Sequence, residues 1–303
     1  MGEKKESSLF YVLAPAYHGA TTLSARANLH PYILSLGNGN PMRGEEQICS
    51  CGENVSTFCP FWTKAAEILE ASEDDPIKKL LLDAPYISSR PKLNKFVNGA
   101  LSLVANEIGA FCWKAFYEQA ERFYGQHDRF MSFCQSWAPH KVFLDAERSN
   151  IKFMVMASMN FPVKGAIHIV RDPRGYAAAL KKYYPESTPE NMAMEWAAAH
   201  KRIRRLAGFF PRAPFLTLKY EDMMEDPINS LKKCIEFMGL KDFEMWDATQ
   251  DQQKNHLLGL SGVDHTKGLT PITENWAEAM PREEQERVVR AAGPLFAELG
   301  YKS

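Results

Sequence analysis

No stretch of this 303-residue chain approaches the roughly 18 consecutive apolar residues that a membrane-spanning helix requires, so no membrane span is expected. Nor does charge of one sign prevail: 36 Lys and Arg stand against 37 Asp and Glu, a formal net charge of −1. That balance excludes a protein that grips nucleic acid or a membrane surface through bulk charge, and any anion must be held by a local site. Cysteine is scarce, with six in the whole chain. So few thiols make no disulfide framework, and reduced thiols are the default. Internal repeats and low-complexity tracts are missing as well. The opening MGEKKESS is short and charged, and the apolar run from Leu9 to Ala16 is too brief for a signal peptide with its cleavage site. A cytoplasmic location is therefore expected.

What the chain does have is core material: 45% of its residues are hydrophobic and 24% charged. The length fits one α/β domain over 1–303 with a helical insertion. Short apolar runs read as strands at Leu9–Ala14, Ile33–Leu36, Lys141–Asp145, Ala166–Val170 and Phe215–Leu218. Helical patterns fall between them, at Thr21–Leu29, Asn150–Met159, Pro173–Lys182, Thr188–Leu206 and Pro227–Met238, and one more closes the chain over Glu283–Leu299. Apolar strands alternating with helices predict a three-layer α/β/α fold with a central parallel sheet. The stretch 44–135 differs in character. Its long helical patterns, Lys92–Ala105 and Phe111–Tyr124, mark a mainly helical insertion or cap.

In such a sheet, ligands sit beyond the carboxyl ends of the strands. The first such end is Pro15-Ala16-Tyr17-His18-Gly19-Ala20-Thr21-Thr22. A glycine and small residues at a strand-to-helix turn let backbone N–H groups approach a phosphate, and the helix dipole favours the negative charge. Thr21 and Thr22 offer hydroxyl donors. A P-loop-like phosphate turn is expected, yet no Gly-Lys-Ser/Thr follows at Walker spacing. A second strand end, Arg171-Asp172-Pro173-Arg174-Gly175, places an arginine where it can reach an anion in the first loop, with a proline suited to the first helical turn.

Taken in order, these segments resemble the sulfotransferase family, bacterial members in particular. HGATTL with HPYILSLG resembles the 5'-phosphosulfate loop, KVFLDAER a strand that ends in D-S-S-K in bacterial members, and IHIVRDPRGYAAAL the 3'-phosphate segment. FLTLKYEDMMEDPINSLKKCIEFMGL resembles the Y-E-D-L element, and ENW with the later ELGY also fits. The resemblance implies transfer of a sulfuryl group from 3'-phosphoadenosine 5'-phosphosulfate (PAPS) to a hydroxyl or amine acceptor, leaving adenosine 3',5'-bisphosphate (PAP). It implies that Gly19, Ala20, Thr21 and Thr22 cradle the 5'-phosphosulfate and that Arg171 grips the 3'-phosphate. It further implies that Lys267 and Gly268 close over that phosphate, with Trp276 helping to hold their loop.

The sequence departs from the family pattern in three places. Tyr17 stands where the family has a basic residue, Asn38 where it often has an acid, and Ala179 where it has a phosphate-binding serine. The candidates for the base that takes the acceptor proton are His18, Glu147 and Asp145. Asp145 reads equally as a helix N-cap. Arg148 takes the place of the family's D-S-S-K lysine and is positioned for donor or acceptor. The acceptor class is a small molecule, a lipid or a glycan. The alternative is an inactive sulfotransferase-fold protein that binds a nucleotide or partner without turnover. Cys49, Cys51 and Cys59 lack the paired spacing of common zinc sites, so a structural role without metal is expected. His168 reads as a core residue, while His140, His200 and His256 join no constellation.

Overall fold

The computed structural model describes residues 7–37, 48–55, 59–69, 117–158, 161–241, 256–258 and 276–302. Five parallel strands, β1 (Ser8–Leu13), β2 (Ile33–Leu34), β3 (Val142–Asp145), β4 (Val163–Val170) and β5 (Phe215–Lys219), form one sheet in the order β2-β3-β1-β4-β5. The helices are α1 (Ala20–Ala27), α2 (Pro60–Ile68), α3 (Tyr117–Trp137), α4 (Asn150–Ser158), α5 (Pro173–Lys181), α6 (Pro189–Phe209), α7 (Tyr220–Glu225), α8 (Pro227–Phe237), α9 (Trp276–Ala279), α10 (Arg282–Ala292) and α11 (Leu295–Glu298). None of the described helices is long and apolar enough to cross a membrane.

β1 shows why the run LFYVL makes a central strand. Its side chains alternate between two cores, as a two-residue period demands. Leu9, Tyr11 and Leu13 join Phe61, Trp62, Phe130 and Phe153 on one face. Phe10 and Val12 join Ala20, Leu23, Leu231 and Ile235 on the other. A strand covered on both sides has no use for polar residues, which accounts for the unbroken apolar run. A third cluster, built around Trp196, Tyr176, Val288 and Phe296, packs α5 and α6 against the C-terminal helices.

Local chemistry sets the helix starts. Asp172, Thr188 and Asp226 cap α5, α6 and α8 by accepting backbone N–H bonds, each followed by a proline at the first position. The expected final helix is two pieces, because Gly293 takes φ 65° after α10 and Pro294 follows it. A left-handed glycine and then a proline end a helix. In the 48–135 stretch the described residues include a tight turn bridged at Ile48 and Asn54, then α2 and most of α3. The expected helix Phe111–Tyr124 overlaps the start of α3, which runs on to Trp137. The one expected at Lys92–Ala105 lies outside the described residues.

The strand order decides where a ligand can sit. From β1 the chain leaves through α1 towards β2 at one edge; from β4 it leaves through α5 and α6 towards β5 at the other. β1 and β4 are neighbours, paired from Leu9–Val163 to Leu13–His168. Their carboxyl ends therefore flank the point where the winding reverses, the position at which open α/β sheets form a ligand crevice.

Candidate functional site

Past Leu13 the chain turns sharply into α1. Tyr17 adopts φ 60° and Gly19 φ 79°, both left-handed. Gly19 is the N-cap of α1 and brings no side-chain cap, and the first turn holds no acidic residue. The N–H groups of Ala20, Thr21 and Thr22 thus open the helix without a partner inside it, an arrangement that can receive an anion. Only glycine fits at 19. A Cβ there would lie 2.7 Å from Met223 Cε and 2.9 Å from the Tyr220 ring, apart from the strain of its φ.

Arg171 spans the crevice from the end of β4. Its guanidinium donates to Tyr17 O and lies over the Tyr220 ring, with its carbon 4.3 Å from the ring centre. Tyr220 accordingly backs both halves of the site, touching the Gly19 turn on one side and Arg171 on the other. Asp172 fixes the next step of the chain. Its backbone N–H donates to Glu221 Oε1 at 2.7 Å, and its carboxylate accepts two bonds from the Arg174 guanidinium, at 3.0 and 2.7 Å. Burial, with Asp172 nearby, raises the Glu221 pKa above the ordinary range, although the donors it accepts from oppose the shift.

His18 does not face the crevice. It is 1% exposed, its Nδ1 lies 2.8 Å from Ala16 O and its Nε2 lies 3.1 Å from His200 Nε2. His200 Nδ1 continues to His168 Nε2 at 2.8 Å. The tautomers follow from one end. A carbonyl only accepts, so His18 Nδ1 carries a proton and its Nε2 accepts; His200 then donates from Nε2 and accepts at Nδ1 from His168. Three neutral rings thus form a directed chain. Burial, aided by the charge of Arg171, lowers the His18 pKa to about 3, and burial lowers that of His168 to about 4. Both ring nitrogens of His18 are spent inside the protein. It is therefore poorly placed to act as base or cation, and it serves as an anchor for the turn. His200, read from the sequence as solitary, is the middle member of the chain, and His168 is more than core filling.

The end of β3 supplies a second cluster. Lys152, buried on α4, pairs with Asp145 Oδ2 at 2.7 Å and Glu147 Oε2 at 2.6 Å. Burial alone would lower the Lys152 pKa, but Asp145 and Glu147 raise it on balance. Asp145 is not the cap of α4. Its Oδ1 accepts the Glu147 N–H at 3.0 Å, while Ser149 Oγ accepts the Lys152 N–H at 3.2 Å and does the capping. Between them Arg148 takes φ 68°, and its charge acts on both Tyr17 and His18. Arg148 and Arg171 thereby bring positive charge to the turn from two different strands.

Lys152 was missed in the sequence, and its signal is faint: a lysine on a helix whose described neighbours Phe153, Met154 and Met156 are buried. Glu221 and Tyr220, read only as part of a motif, are the braces of the Arg171 turn. Lys267, Gly268 and Asn38 lie outside the described residues. The three cysteines gain the partner they lacked in His256.

A family model described as "Sulfotransferase family" matches residues 68–245. No curated protein matches the sequence. Among solved structures, the sulfotransferase domain of the olefin synthase of Synechococcus PCC 7002 is similar, at 15% identity and a TM-score of 0.52, over 100% of this chain and 98% of that one. A sulfotransferase of Mycobacterium avium is similar at 15% identity and a TM-score of 0.48, over 98% of this chain and 76% of that one. At 15% identity, the likeness to the first of these shows a shared fold. The matched segment, however, is more than half of the chain and takes in both β3 and the Arg171 turn. The chain belongs to the sulfotransferase family.

Proposed function

We propose that this protein moves a sulfuryl group from PAPS to a hydroxyl or amine of a small-molecule, lipid or glycan acceptor, in the cytoplasm, leaving PAP. The observation that carries the reading is the bond from Arg171 to Tyr17 O, which fixes an arginine beside the uncapped start of α1. The residues fit a phosphorylated donor: helix N–H groups for one anionic end and two arginines beside the turn. When bound, the donor supplies the activated sulfuryl group.

The chain's own residues supply position and charge, which are what an in-line transfer requires of a protein. Gly19, Ala20, Thr21 and Thr22 hold the phosphosulfate end through their N–H groups. Arg171 takes the 3'-phosphate, backed by Tyr220, and Lys267 with Gly268 completes that end. Arg148 provides the cation that Tyr17 does not, since its charge already reaches the turn. Glu147 is the base for the acceptor proton. It is less buried than its neighbour Asp145, and Lys152 can pass between the two carboxylates as the proton arrives. Asp145 holds that lysine.

Calorimetric titration with PAP tests the donor site. Wild type binds, Arg171→Ala weakens binding by at least about tenfold, the loss of one charge-assisted contact, and Arg171→Lys recovers part of it. No heat with folded wild type would overturn the reading. Binding without sulfuryl transfer to any acceptor would leave the donor site standing and overturn the assigned activity.

A further inference from the structure

Away from the crevice, the turn that follows β2 carries a second site. Cys49 and Cys51 flank a hairpin bend in which Gly52, at φ 89°, donates its N–H to Cys49 O at 2.9 Å, and Cys49 N–H donates to Glu53 O at 2.9 Å. Cys59 leads into α2. His256, some 197 positions further on, reaches the same spot from a short segment paired to the end of β2, where Leu258 N–H donates to Leu36 O at 2.9 Å. The three sulfurs and one imidazole nitrogen all lie within 4.8 Å of one another.

The closest separations are those of a tetrahedron's edges. Cys51 and Cys59 sulfurs are 3.7 Å apart, and His256 Nδ1 is 3.6 Å from Cys49 Sγ and 3.3 Å from Cys59 Sγ. Tetrahedral bonds to zinc of about 2.3 Å for sulfur and 2.0 Å for nitrogen give edges of about 3.8 Å between sulfurs and about 3.5 Å between sulfur and nitrogen. Each sulfur also has a backbone donor. Backbone N–H groups of Cys51, Glu53 and Trp62 donate to the sulfurs of Cys49, Cys51 and Cys59 respectively. The imidazole is held in place: Phe61 stacks on it at 5.1 Å, Trp137 meets it edge-on at 5.4 Å, and Trp62 Nε1 donates to His256 O at 3.2 Å. Cys49, Cys59 and His256 are buried.

We propose that Cys49, Cys51, Cys59 and His256 Nδ1 bind one zinc(II) ion as a closed structural site. Three soft thiolates and one imidazole in tetrahedral array select zinc over hard cations, and four protein ligands leave no position for catalysis. Binding releases the thiol protons that remain and no electrons move. The ion ties the 48–55 turn and the start of α2 to the 256–258 segment and, through Leu36 and Gly37, to the chain just past β2. Gly37 allows the approach, since a Cβ there would lie 2.1 Å from Leu258 O. The inference is independent of the donor assignment.

Metal analysis of the full chain, purified without chelator, tests it. One zinc per chain is expected, unchanged in Cys134→Ser, whose thiol is buried in α3 and is not one of the four grouped ligands. Cys59→Ser and His256→Ala each weaken zinc binding by at least about 100-fold against a competing chelator. Should those variants not fold, cobalt(II) exchanged into wild type gives the intense visible absorption of a tetrahedral thiolate site. A folded wild-type chain that retains no zinc after dialysis against it, or that contains a Cys51–Cys59 disulfide on mass analysis, overturns the proposal.

Discussion

At the scale of single residues, the site depends on the space one glycine leaves. Tyr220 lies against both Gly19 and Arg171, so any atom added at 19 displaces the ring that supports the arginine. Gly19→Ala adds a left-handed strain of about 1–2 kcal/mol to that push. The expected outcome is a folded protein whose PAP affinity falls more than tenfold by calorimetry; unchanged affinity would show that this turn is not the donor cradle. The placement of Gly19, Arg171 and Arg148 just past strand ends was legible in the sequence, because the apolar runs mark those ends. Lys152 was not, because its partners Asp145 and Glu147 come within reach only once α4 folds back beside β3. The same holds for His256, whose three cysteine neighbours lie some two hundred positions away.

Elements were read more reliably than contacts between them. The strands and helices of the α/β core declare themselves by period, proline and cap, and their observed ends lie within about three residues of the reading. What period cannot supply is which side chain of α6 meets which of β4 or the β1 turn, since that depends on how the helix rotates against the sheet. The chain from His18 to His200 to His168 joins those three elements and arises from that packing alone. It also gives the fold a dependence on pH. Unfolded histidine takes up a proton near 6.5, whereas His168 and His18 in the folded protein resist it down to about 4 and about 3. Between those values the unfolded chain binds more protons, so stability is full above about pH 6.5 and declines as pH falls through the window. Two measurements check this. The melting temperature is expected to drop steadily from pH 7 to pH 5, and the ring resonances of these histidines are expected not to titrate in that range.

On the scale of the whole molecule, residues 300–302 support the Arg171 turn of the site. Tyr301 Oη donates to Glu221 Oε2 at 3.0 Å, and the other oxygen of Glu221 receives the Asp172 N–H next to Arg171. Two neighbouring bonds share the load: Lys219 Nζ donates to Gly300 O at 2.8 Å and Arg174 to Lys302 O at 2.9 Å. The α10–α11 region therefore does more than complete a core. Through Glu221 it is linked to the backbone of Asp172, the residue that follows Arg171. Tyr301→Phe deprives a buried carboxylate of one donor while keeping the ring against Phe296, an arrangement now at 5.8 Å. Leaving that oxygen unpaired costs about 1–3 kcal/mol, and it raises the Glu221 pKa further, so the variant loses most stability at neutral and higher pH, where the carboxylate is charged. A melting temperature lowered by a few degrees is the first expected effect. The second is a PAP affinity reduced by about threefold to tenfold, the equivalent of about 0.7–1.4 kcal/mol. If stability falls and affinity does not, the C-terminal helices hold the fold alone, and the position of Arg171 is set by Tyr220 and Tyr17 without them.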